Sequence, residues 1–102
     1  MNVTLQWELP DTRTSNRPLL PADILHVAVD VSANDGADWT AIGVFAPDVL
    51  STEITDLDFG VWKFRGVVVP KKGLPSDPLF AQVVNEDTSP PNPLRSLTVV
   101  LA

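Results

Sequence analysis

Val-Thr-Leu-Gln-Trp-Glu-Leu-Pro, residues 3 to 10, alternates apolar and polar side chains until a proline ends the run. A period of two belongs to a strand with one face covered, because successive side chains of an extended chain point to opposite sides. Working outward, Asp11 to Pro21 is polar, contains Pro18 and Pro21, and reads as a loop. Leu25, Val27, Val29 and Val31 then alternate with His26, Ala28 and Asp30, which predicts a long second strand. Asn34-Asp35-Gly36 is a turn signal, since Asp-Gly tolerates positive φ at little cost. Trp39 to Phe45 predicts a third strand closed by Pro47, and Ser51 to Leu57 a short fourth one with Ile54 and Leu57 inward.

The second half repeats the pattern. Val61 to Val69 is rich in β-branched and aromatic residues, with Trp62, Phe64 and Val68 on one face and Gly66 between them. Lys71-Lys72-Gly73-Leu74-Pro75 is turn-prone, and Leu79 to Val84 predicts a sixth strand. Residues 85–96 form a proline-rich linker with Pro90, Pro91 and Pro93, leading to a seventh strand at Leu97 to Leu101 within a C-terminal segment 97–102. Seven short strands separated by turn chemistry predict an all-β, seven-stranded β-sandwich occupying residues 1–102 as one domain. Ten prolines, most of them between strands, oppose helices. The core is expected around Trp7, Leu25, Val27, Val29, Trp62 and Phe64.

The chain resembles a fibronectin type III (immunoglobulin-like) domain. The resemblance rests on Trp7 before Pro10, the Leu25–Val31 strand, Asp35-Gly-Ala-Asp-Trp39, the Leu57–Val69 run and Gly73-Leu-Pro-Ser76. In that family the Val3–Pro10 motif belongs to the second strand, yet here only Met1 and Asn2 precede it. Ser89 to Ala102, Ser-Pro-Pro-Asn-Pro-Leu-Arg-Ser-Leu-Thr-Val-Val-Leu-Ala, resembles the proline-led first strand, so the resemblance implies a first strand relocated to the C-terminal side. The family's tyrosine near the start of the sixth strand has no counterpart, since the chain holds no tyrosine; Trp62 is expected in its place, through its indole N–H or by packing.

Composition bounds the function. A chain of 102 residues buries about 65% of its extended surface, and 44% apolar residues are enough for a globular core. With no cysteine there is neither a disulfide framework nor a thiolate ligand or nucleophile. A formal charge of −6 works against nucleic acid, and no apolar run approaches the ~20 residues of a membrane span. No signal peptide is visible at the first residues, which points to synthesis in a cytoplasm.

Each candidate chemical group has a plainer alternative. His26, the single histidine, lies on the polar phase of a strand with no second His or Cys. Asn34, Asp35 and Asp38 around Gly36 lack calcium-loop spacing and read as a hairpin turn. Asp56 and Asp58, two residues apart beside a turn, read as solvated rather than as an acid–base pair. No phosphate loop or nucleophile elbow is present, so the expectation is no enzyme, no cofactor and no metal. Trp39, after the hairpin turn, is a candidate stacking residue. Arg13, Asn16, Arg17, Lys71 and Lys72 lie in two loops that the resemblance places at one end of the fold, where they would form a small basic docking patch.

The leading expectation is therefore a non-enzymatic assembly module, such as a phage virion protein of the capsid-decoration or tail-accessory kind. Its partners would be other virion subunits, with strand exchange between copies and neither nucleic acid nor membrane. Carbohydrate or protein recognition, or inhibition of a host protein, are the alternatives. For the isolated chain, the tethered last strand is expected to close onto its own domain, with exchange becoming competitive between closely spaced copies.

Overall fold

The computed structural model describes residues 1–101; Ala102, the end of the expected 97–102 segment, lies outside the described residues. Among the described residues six strands run in the order β1 Val3–Gln6, β2 Ile24–Ser32, β3 Thr40–Phe45, β4 Ser51–Ile54, β5 Gly60–Pro70 and β6 Leu79–Asn85. They form two antiparallel sheets: a two-stranded one, β1–β4, and a four-stranded one in the order β3–β2–β5–β6. A 3-10 turn, Pro21–Asp23, leads into β2; Asp23 accepts the Leu20 backbone N–H on its carboxylate at 2.9 Å.

β2 and β5 are the central strands, and their Val, Ile and Phe side chains supply most of the core. Ile24, Val27, Val29 and Phe64 are buried there, joined by Leu19 and Leu57 from the connections. The β2–β5 register pairs Val27 with Val68, Val29 with Gly66 and Val31 with Phe64. Residues directly opposite share a face, so Phe64, Gly66 and Val68 line the inner side of β5. By the same rule β6 turns Leu79, Ala81 and Val83 inward, opposite Gly66, Phe64 and Trp62. Asp30 and Arg65, also opposite each other, form an ion pair at 2.8 Å on the outer side.

The turn after β2 is held by a buried serine. Ser32 Oγ accepts the backbone N–H groups of Asn34 and Gly36 at 3.3 and 2.8 Å, and donates to Asn34 Oδ1 at 2.8 Å. Asp35 and Gly36 both take positive φ, 58° and 85°, as the Asp-Gly pair predicts.

Two expectations need correcting. Leu25 is not in the core: it is 51% exposed, while Ile24 is buried. The β2–β5 ladder shifts register between Ile24 and His26, and an extra residue in a ladder reverses the facing of what precedes it. The alternation read from Leu25 onward therefore holds only from Val27. The expected seventh strand is the second correction. Leu97 to Leu101 carry no strand pairing, and their apolar side chains are 87% to 89% exposed. The chain beyond β6 runs out along the long axis of a molecule measuring 83 × 21 × 20 Å. Its radius of gyration, 21.4 Å, compares with about 13 Å for a compact domain of ~100 residues. Closure onto its own domain would require the chain to reverse after three closely spaced prolines, which resist tight folding back.

Candidate functional site

This arrangement leaves an apolar cleft of about 470 Å³ between the free flank of β1 and the inner face of β5 and β6. Leu5, Trp7 and Leu9 line one wall; Phe64, Gly66, Val68 and Leu79 line the other. The same alternation that predicted the first strand aims Leu5, Trp7 and Leu9 inward, where they are only half-buried. Gly66 opens the floor, because a Cβ built on it would meet nothing within 4 Å. Leu79 lies on the inward phase of β6 and is nevertheless 81% exposed. An apolar inner face is thus left uncovered along one side of the molecule.

The edge of β1 facing the cleft is open. Among the described residues β1 pairs only with β4. Trp7 N–H donates to Leu50 at 3.0 Å, and Leu5 and Val3 stand opposite Thr52 and Ile54. Antiparallel ladders alternate, so the peptide groups of Thr4 and Gln6 point away from β4, toward the cleft side. Trp7 closes the far wall by packing on Phe45 (ring centroids 5.3 Å apart) and by donating its indole N–H to Val49 at 3.1 Å.

The two basic loops meet in part. The Thr12–Pro18 bridge and the Asn16 N–H to Arg13 bond at 2.8 Å fold the first loop into a tight hairpin, with Asn16 at φ 64°. Arg13 reaches the second loop, one guanidinium nitrogen lying 3.8 Å from where a Gly73 Cβ would stand. Arg17, Lys71 and Lys72 are exposed. Lys71 N–H donates to Asp23 at 2.9 Å, which anchors that loop to the 3-10 turn.

Trp39 is half-buried on the outer side of the four-stranded sheet. Arg65 lies 4.4 Å from its ring centroid, Phe80 stacks beside it at 6.0 Å, and Gly36 approaches its edge. Lys63 covers the Phe80 ring at 5.0 Å. These aromatic faces are already engaged by the protein's own cations. Trp62 donates its indole N–H to the Asp58 carbonyl, four residues upstream, at 3.0 Å, which ties the start of β5 to the turn before it.

The remaining candidates are structural in their surroundings. His26 is half-buried in β2 opposite Val69. Asp38 accepts from the Asn34 amide at 2.7 Å, and Asp58 accepts the Phe59 N–H at 2.8 Å. Asp56 offers its backbone N–H to Asn2 at 3.0 Å. No group of three His, Cys, Asp or Glu side chains converges among the described residues. No helix of the described residues is long and apolar enough to cross a membrane.

Among the cleft residues, sequence reasoning did not single out Leu5, Leu9 or Leu79, and it noted Gly66 only as a gap between inward-facing residues. A glycine amid β-branched residues was the available signal, since a strand glycine often marks a close approach by another backbone. Compared with protein-family models, with curated proteins and with solved structures, the chain gives no match in any of the three.

Proposed function

We propose that this chain is a non-enzymatic structural module that works by assembly with other protein subunits. One observation carries the reading: an apolar cleft beside an open strand edge occurs in the same chain as an extended, apolar, unpaired segment. Open edges are templates for pairing, and compact proteins ordinarily blunt or cover them. The two sheets are then the halves of a fibronectin type III-like sandwich of seven strands, whose seventh strand is added on assembly. Trp62, tied to Asp58, takes the part of the family's tyrosine. The setting we propose is a phage virion, with the chain made in the host cytoplasm and fixed to a capsid or tail as a decoration or accessory subunit. Dense, regular spacing of copies there favours strand addition between neighbours. Recognition of carbohydrate through Trp39 draws no support from its surroundings, because Arg65 lies against the ring that a sugar would stack on.

Co-sedimentation of the purified chain with intact phage particles tests the proposal. Saturable binding at a fixed copy number per particle is the expected result. A chain that stays in the supernatant with capsids and tails alike counts against the virion setting.

A further inference from the structure

We infer that copies of this chain join head to tail, the segment Leu97 to Leu101 of one copy adding antiparallel to β1 of the next and filling its cleft. The inference rests on the assembly reading above and names the partner: a second copy of this chain.

The segment and the cleft match in pattern. Leu97, Val99 and Leu101 share one phase of an extended chain, while Thr98 and Val100 share the other. Placing Thr98 opposite Gln6 and Val100 opposite Thr4 lets them exchange bonds with the two residues of β1 whose peptide groups face the open edge. That register sets Leu97, Val99 and Leu101 beside Trp7, Leu5 and Val3, all on the inner side. Their side chains then cover the floor left empty by Gly66 and the bare flank of Leu79. Arg95 falls at the end of the cleft lined by Glu8 and Asp77, an arrangement of opposite charges that a parallel strand would not give.

The direction of the chain selects a neighbour over the molecule itself. β6 ends at Asn85, whose amide donates to the carbonyls of Leu57 and Asp58 at 3.0 Å each. Met1 also bonds to Leu57, at 3.1 Å, so the segment leaves the body at the end where β1 begins. An antiparallel strand must enter at the other end, near Pro10. Entry into its own cleft needs a run back along the whole body and then a reversal. Entry into a copy stacked along the long axis with the same polarity needs neither. Sixteen extended residues from Glu86 to Leu101 span about 53–58 Å, which accounts for most of the 83 Å length. Such a contact is heterologous, so it propagates as a filament or closes as a ring.

Full-length variants test this in solution. The unaltered chain is expected to show a ladder of masses that grows with concentration in analytical ultracentrifugation. The double substitution L97D/V99D alters exposed residues only and should leave a folded monomer. Gly66→Phe fills the acceptor cleft and should also be monomeric; Thr4→Pro is a second acceptor block, removing an edge-facing N–H while sparing the ladder to β4. An equimolar mixture of L97D/V99D with either acceptor variant retains one good cleft and one good segment, and should give a dimer and nothing larger. In this cysteine-free chain, Gln6→Cys in one copy and Thr98→Cys in another should form an intermolecular disulfide on mixing. A monomeric unaltered chain at every concentration overturns the inference, as does a ladder untouched by both classes of variant. A disulfide formed only inside the Q6C/T98C double variant would assign the cleft to the chain's own segment. If the chain binds particles yet fails these tests, the assembly reading stands and only the partner is wrong.

Discussion

Phe64 and Trp7 show how differently two aromatic residues on inward phases can be placed. Phe64 is 3% exposed at the centre of β5, enclosed by β2 on one side and β6 on the other. Phe64→Ala should lower stability by about 3–5 kcal/mol, measured by urea unfolding. Trp7 flanks the open cleft and is half-buried, so Trp7→Ala should cost about 3 kcal/mol, the low end of that range. The loss includes its packing on Phe45 and the bond to Val49. Ser32 is a polar counterpart: the serine is buried while the turn it holds is only partly so, and Ser32→Ala, which leaves the Gly36 N–H without its partner, should cost about 1 kcal/mol in the same assay. At Gly36 itself, an added Cβ meets Trp39 at 3.3 Å with φ at +85°. Gly36→Ala is expected to cost about 1–2 kcal/mol and to push the indole away from Arg65, a shift that tryptophan fluorescence reads.

Among the elements, β2 and β5 hold the molecule together because each pairs on both edges. Their amides should be the slowest to exchange with solvent, whereas the Thr4 and Gln6 amides of β1, facing the open edge, should exchange quickly in dilute protein. Most of these elements were legible in the sequence. β1 and most of β2 follow from alternation, β3 and β6 from apolar runs bounded by proline or turn residues, and the β2–β3 turn from Asp-Gly. Leu25 was misplaced because a bulge reverses alternation without leaving a mark in a run of apolar residues. The partial meeting of the basic loops, Arg13 beside Gly73, came from the family resemblance rather than from any local pattern.

The whole molecule is an apolar cleft at one flank and an apolar strand-like segment held away from it. Hydrogen exchange should therefore report two regimes. At low concentration the amides of Thr98 to Leu101 exchange as freely as in an unfolded peptide; at high concentration they and those of Thr4 and Gln6 gain protection together, whereas a segment that merely collapses on its own surface would gain protection without any dependence on concentration. By itself the sequence determined the all-β class, six of the strands, and the apolar phase of both β1 and Leu97–Leu101, because period and turn chemistry are local properties of the chain. Only the tertiary structure decided where the last segment goes, that Gly66 leaves the cleft floor bare, and that Leu79 stands uncovered. Those outcomes depend on which end of the body β6 delivers the chain to, and that is set by contacts between residues far apart in sequence, such as Asn85 with Leu57.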